Sequence, residues 1–427
     1  MAINSFFLDE GDVEMQRRIN DMLDWGLLLA VAGLLGIGLI SIYSAAYSLG
    51  SDSIFMRQVF YAIAGTVAAG VLFYVPERTL NALAYPAYGV GILLLLTVLS
   101  PLGHKVNGQQ CWIQIGSFTF QPSEFAKIST LLAAARYVSH KGFSIHGMRS
   151  LVGLLTIFIL PVGLIMLQPD TGSATVFIAM LLGVYLWAGG DTFALYTLVS
   201  VPFVAVAALY GALFGNMIWF IALSALFALG SYLWRKPLGL TIAACALVIG
   251  IGLAVEPVFD HLEPYKQKRL ITLFEPERNP RGEGYHVIQS MLAVGSGGLT
   301  GKGFLQGTQT QLRYIPEQWT DFIFCVPTEE FGFVGGVLVI ALLATVALRS
   351  FSIASLSRTP FSSIIAIGFG SLVTFHTMVN IGMAVGLFPV MGIPLPFLSA
   401  GGTSLIANVA CIGMLLHMYR SRRRRMA

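Results

Sequence analysis

Long apolar runs broken by short polar segments recur from residue 23 to residue 419. A helix needs roughly 20 predominantly apolar residues to cross a bilayer, and twelve runs are read as spans. They fall at about 23–46, 59–75, 80–99, 121–139, 151–167, 173–188, 193–213, 217–234, 238–257, 322–349 and 364–387, with a last one ending before Tyr419. The fold class expected is all-α, a polytopic transmembrane helical bundle forming a single integral-membrane domain over 1–427. Residues 1–22 read as a polar cytoplasmic tail, 420–427 as a basic cytoplasmic tail, and 259–321 as one large extracytoplasmic loop.

Charge orients this pattern. Alternate loops carry Arg78, then Lys141 and Arg149, then Arg235 and Lys236, then Arg349 and Arg358, and the chain closes on Arg422, Arg423, Arg424 and Arg425. Lys and Arg favour the cytoplasmic side of short loops, so both termini are expected inside and the loop 259–321 outside. Composition agrees with a membrane chain: 56% of the 427 residues are hydrophobic and 11% charged, where soluble domains carry about 25% charged residues. Residues 1–22 lack the short apolar core and cleavage site of a secretory signal. The four cysteines, Cys111, Cys245, Cys325 and Cys411, have no metal or redox spacing, and a Cys111–Cys325 disulfide is not expected. Nothing in the charge pattern points to nucleic acid.

The chemistry concentrates at 300–332, TGKGFLQGTQTQLRYIPEQWTDFIFCVPTEEFG. Glycine turns and a polar, basic segment lead to Asp321, which is expected at the water–lipid boundary, in front of an apolar run. Glu329 and Glu330 would lie about two helical turns deeper, at ~1.5 Å per residue. Acids at such depth usually face a bundle interior or a cavity, although pairing with a cation of a neighbouring helix explains them equally well. The same duality holds elsewhere. Lys266, Lys268 and Arg269 suit an anionic headgroup or a pyrophosphate, or serve surface anchoring and ion pairs with the loop's own acids. Trp112 is either a membrane-belt residue or an apolar platform for a sugar. Asp170, after Gln168 and Pro169, is a turn former or the polar wall of a cavity. Lys127 and Arg136 lie inside the fourth span, where Pro122 and Glu124 suit a first helical turn. His286 has no partner at metal-ligand spacing.

Five blocks together resemble the SEDS family (shape, elongation, division, sporulation): QPSEFAKIS (121–129), QPDTGSA (168–174), the stretch 283–324, EEFGFVGG (329–336) and the stretch 380–408. These are bacterial peptidoglycan glycosyltransferases of the cytoplasmic membrane. The segment GKGFLQGTQTQL (301–312) is nearer to the elongation members than to the division members. The resemblance implies polymerisation of lipid II, an undecaprenyl-pyrophosphoryl disaccharide-pentapeptide, outside the membrane, together with a class B penicillin-binding protein acting as transpeptidase. It matches the family's essential aspartate to Asp321, its outer-loop tryptophan to Trp112 and a regulatory glutamate to Glu317. Lys127, Asp170, Lys302 and Glu329 join Lys266, Lys268 and Arg269 as candidate substrate contacts. No cofactor is assigned, and a divalent cation such as Mg or Mn at the pyrophosphate is left open. The family usually has ten spans, so 192–257 holds room for two extra helices.

One carboxylate is enough for such a reaction. A sugar 4-hydroxyl attacking an α-linked donor yields a β-linked product, and a positioned carboxylate takes the proton as the bond forms. Glycosidases need a second carboxyl because an alcohol leaves; a pyrophosphate leaves unprotonated if cations hold its charge. The rival reading is a lipid II flippase with Lys127, Arg136 and Glu329 along its path, and a third is a division-type polymerase.

Overall fold

The computed structural model describes residues 23–48, 53–106, 109–116, 118–262, 264–275, 283–316 and 318–422. In chain order the elements are α1 (Trp25–Tyr47), α2 (Ser53–Tyr74), α3 (Glu77–Leu99), β1 (Gly103–Val106), β2 (Gln109–Ile115), β3 (Phe118–Phe120), α4 (Pro122–Val138), α5 (Met148–Met166) and α6 (Thr171–Trp187). Then come α7 (Thr192–Phe214), α8 (Ile218–Leu233), α9 (Leu238–Asp260), α10 (Pro264–Phe274), α11 (Glu283–Ser296), α12 (Thr308–Gln311), α13 (Cys325–Glu330), α14 (Gly332–Leu356), α15 (Pro360–Ala384) and α16 (Gly402–Ser421). A long helix stands at each of the twelve places where a span is predicted, α1 to α9 and α14 to α16. Among the described residues, nine of them are long and apolar enough to cross a membrane; α6 and α8 are apolar but shorter. The remaining one, α4, has 17 residues and buries Ser123, Glu124 and Lys127.

Polar residues at the breaks become helix ends. The Asp24 carboxylate accepts from Leu27 N–H at 3.0 Å and caps α1, and Asp191 accepts from Phe193 N–H at 3.0 Å to cap α7. Thr359 caps α15, with Pro360 in its first turn. Each side chain satisfies a backbone donor that has no partner inside the helix.

Where the sequence reading has one membrane domain, the chain divides into two units: 1–187 with 289–427, and 188–288. In the first, α15 and α16 are the most enclosed spans. α16 packs closely on α2, where a β-carbon on Gly413 would collide with the backbone of Ala69. Small residues permit such approach between helices in lipid. In the second unit, α7, α8 and α9 share an apolar cluster of Phe193, Val204, Phe227, Ala244 and Val248. There Lys236 pairs with Asp191 at 3.0 Å, which puts the α6–α7 and α8–α9 turns on one face.

Three local differences from the sequence reading matter for the site. The span expected to begin just after Asp321 does not. Turns at 319–324 lead into the short α13, and Gly332, at φ +68°, opens α14 after a break at Phe331. Glu329 and Glu330 therefore lie ahead of the span, not two turns within it. The cause is a second piece of chain crossing there. Lys302 N–H donates to Glu329 O and Gly303 N–H to Glu330 O, both at 3.0 Å, and Phe333 N–H donates to Gly298 O at 2.8 Å.

Next, the segment after α3, expected as a loop, is an antiparallel sheet in the order β1-β2-β3. Val106 pairs with Gln109, and the intervening Asn107-Gly108 is the dipeptide most favoured in two-residue hairpins. Finally, the expected loop 259–321 contains α10, α11 and α12, and α9 extends to Asp260.

Candidate active site

The helix starts and loops of the first unit enclose a cavity of about 380 Å³. Trp112 and Thr119 of the sheet, Glu124 and Lys127 of α4, Asp170 and Ser173 at the start of α6, Asp321, and His376 of α15 line it. Pairing in the sheet fixes Trp112 opposite His104. Its neighbour Cys111 also lines the cavity and is buried; burial and, less strongly, the Asp170 charge push the thiol up to about 12. All four cysteines are free.

Asp321 is held through its backbone. Three successive carbonyls are taken up by α15 and the chain that follows it: Ala400 N–H donates to Trp319 O at 2.7 Å, and the Ser399 hydroxyl to Thr320 O at 2.6 Å. The Asn380 amide then donates to Asp321 O at 2.8 Å, and also to Ile393 O at 2.8 Å. Gly392, at φ +66°, leaves the Asp321 carboxylate uncrowded: a β-carbon built there would still stand 3.7 Å from Oδ2. Pinning the main chain at three points restricts where the side chain can point, as a catalytic group requires.

Around this carboxylate the polar groups are fixed in pairs. Lys127 Nζ meets Glu124 Oε2 at 2.8 Å with both side chains almost fully buried. Their i, i+3 spacing places them on one face of α4. Asp170 accepts from Ser173 N–H at 2.9 Å, from the Ser173 hydroxyl at 2.7 Å and from Gln121 Nε2 at 3.3 Å. It is thus both the cap of α6 and a wall of the cavity, joining the two sequence readings. His376 shares a hydrogen bond between Nδ1 and Pro394 O at 2.9 Å.

Of the residues singled out from the sequence, the structure brings together Asp321, Trp112, Lys127 and Asp170. Lys302 and Glu329 are elsewhere, paired with each other at 2.7 Å. Glu329 also accepts from Gln309 N–H at 2.9 Å, Thr310 N–H at 3.0 Å and the Thr310 hydroxyl at 2.7 Å. Burial pushes its carboxyl up, but the Lys302 ammonium and these donors outweigh it, so the carboxyl lies below its usual value. Glu330, bonded by the Ser44 hydroxyl and by Leu305 N–H, lies above its usual value, through burial and then the neighbouring Glu329 charge. The two acids latch the 302–310 segment to the end of α13.

Lys268 is exposed on α10; the side chains of Lys266 and Arg269, and all of Glu317, lie outside the described residues. The sequence reading did not select Glu124, Gln121, Ser399, His376 or Asn380 for the site. Only Glu124 carried a usable signal, its helix-face spacing to Lys127. As for a divalent cation, no group of three His, Cys, Asp or Glu side chains that could hold a metal occurs among the described residues.

Comparison with known proteins gives a consistent set. The family model described as "Cell cycle protein" (FtsW/RodA/SpoVE) matches residues 25–225 and 214–424. "Peptidoglycan glycosyltransferase RodA" of Treponema pallidum is 33% identical, covering 94% of this chain and 98% of that relative. "Peptidoglycan glycosyltransferase MrdB" of Escherichia coli is also 33% identical, covering 94% of each. A chain from a solved peptidoglycan synthase complex, described as coordinating polymerization and crosslinking, aligns with TM-score 0.68 at 31% identity, covering 94% of this chain and 99% of that one.

Proposed function

From the chain's membership of the FtsW/RodA/SpoVE family, we propose that it is a peptidoglycan glycosyltransferase of the elongation type that polymerises lipid II at the outer end of its first unit, with Asp321 as general base. The observation that carries this reading is the Asp321 carboxylate lining one cavity with a cation, Lys127, and an aromatic plane, Trp112. An ordinary carboxylate is ionised at neutral pH. It takes the proton of the acceptor's 4-hydroxyl as that oxygen bonds to the donor's anomeric carbon, while the bond from that carbon to the pyrophosphate breaks. The configuration inverts, and the electron pair leaves on the pyrophosphate. Lys127 supplies positive charge inside the cavity, and Lys266, Lys268 and Arg269 remain proposed contacts for an anionic substrate on the strength of their charge alone. No residue is assigned to a metal, and no step passes through one.

A class B penicillin-binding protein is the proposed partner, supported by the likeness to a chain of a synthase complex. Both termini are placed in the cytoplasm by the distribution of arginine and lysine. The arrangement is less suited to a flippase, because the three polar residues of that path do not share a route. Lys127 lines the cavity, Arg136 donates to Asn81 O and Ala82 O near the other end of α4, and Glu329 is bound into its latch.

The test uses purified protein with its transpeptidase, labelled lipid II and a gel resolving glycan chains. Asp321→Asn keeps size and hydrogen bonding but cannot take a proton. The parent is expected to give a ladder. The variant should lose about 10²–10⁴-fold in rate while still binding lipid II. A normal ladder from the variant removes Asp321 as base. No ladder from the parent, with lipid II crossing liposomes that contain it, favours the flippase.

A further inference from the structure

Five helix ends, those of α2, α4 and α16 and the starts of α3 and α15, meet at the far end of the first unit from Asp321. Along α4, Arg136 lies about 18 Å beyond Glu124, at ~1.5 Å per residue. α16 likewise begins at the Asp321 cavity with Thr403 and finishes here with Arg420. Between these ends is a second cavity, of about 830 Å³, lined in part by Phe73, Tyr74, Arg78, Arg136, His417 and Arg420.

Its charge is unbalanced. One carboxylate, Glu77, reaches the cavity, and it is engaged by the hydroxyls of Thr359 at 2.7 Å and Ser362 at 3.1 Å. Among the described residues, Arg78, Arg136 and Arg420 form no ion pair. Two of these cations are held in place without an anion. Arg136 donates to Asn81 O at 2.8 Å and Ala82 O at 3.0 Å and lies over the Tyr85 ring at 4.5 Å. Arg420 lies over the Phe73 ring at 5.4 Å. Their remaining N–H groups are available for an anionic ligand, which a guanidinium takes in bidentate fashion when it is a phosphate.

The surroundings say what kind of phosphate. The two helices whose ends supply Phe73, Tyr74 and Arg78 to the cavity lining, α2 and α3, expose Val67, Val71 and Leu83, apolar side chains suited to acyl chains. Basic pockets between transmembrane helices near the bilayer surface bind anionic headgroups. We infer that this cavity binds the phosphate of an anionic phospholipid, seated among Arg78, Arg136 and Arg420 with its chains along α2 and α3. The site is separate from the Asp321 cavity and does not depend on the reaction assigned there.

The test is native mass spectrometry of the full chain, released from detergent with phosphatidylglycerol or phosphatidylcholine. Phosphatidylglycerol should be retained in preference. Arg78→Gln combined with Arg420→Gln should weaken it about 25-fold, at roughly five-fold per guanidinium. Lys141→Gln with Arg149→Gln, neither of which lines the cavity, should leave it unchanged. If the double variant does not fold, Arg78→Gln alone, at an exposed position, should still cost about five-fold. Equal retention of the two lipids, parental binding by the double variant, or the same loss from the Lys141 and Arg149 control overturns the inference. Displacement of phosphatidylglycerol by millimolar inorganic phosphate overturns the lipid assignment in favour of a free-phosphate site.

Discussion

At the scale of residues, the Glu124–Lys127 pair separates structural from chemical roles. At 3% and 4% side-chain exposure, both charges have lost most of their water, and their attraction offsets that cost only while both are present. Removing one partner of a buried pair costs about 3–5 kcal/mol. Lys127→Met is therefore expected to lower the melting temperature strongly, and combining it with Glu124→Gln should restore most of the loss. Activity should stay low in the double variant, because the cation is gone from the cavity. A glycan ladder restored together with stability would confine Lys127 to holding α4. The i, i+3 spacing of this pair was readable from the chain. The bond from Asn380 to the Asp321 carbonyl was not, since nothing local to either residue specifies a partner 59 positions away.

At the scale of elements, the break between α13 and α14 positions the segment that leads out of the site. Gly332 has φ +68°, and a β-carbon there would collide with the backbone of Leu299 and Gly301. Gly332→Ala should cost more than about 1 kcal/mol, since alanine gains strain there rather than relief. Gly36→Ala in α1, with open space around it, is the matched control and should leave thermal stability unchanged or slightly raised. Equal melting temperatures for both variants would mean that the Gly332 break is not a constraint on the fold. Hydropathy reads straight through Phe322 to Leu348 because every residue type there except the two glutamates suits a span. The interruption comes from the 298–303 segment bonding to the end of α13, which no local pattern encodes. The sheet after α3 is different: the Asn-Gly dipeptide at 107–108 is a hairpin signal in the sequence itself, and the expectation of a loop there passed over it.

At the scale of the whole molecule, the Lys236–Asp191 pair ties two turns that the sequence reading expects on the cytoplasmic side. In a cysteine-free background, Cys introduced at position 216 should react with a membrane-impermeant thiol reagent in intact spheroplasts, and Cys at 235 should not. Strong labelling at 235 would sink the twelve-span topology. The number and placement of the long helices were legible without coordinates, because crossing a bilayer imposes a length and a composition on each segment separately. Family membership was legible as well, through blocks such as QPSEFAKIS and the stretch 380–408. The candidate site was legible as a list, not as an assembly: Trp112, Lys127, Asp170 and Asp321 come from four distant stretches, and Lys302 and Glu329, equally plausible as polar residues, pair with each other instead. Which charges face a cavity and which neutralise one another depends on helix packing and on carbonyls offered by other segments. Those are properties of the folded bundle, and only the tertiary structure decided them.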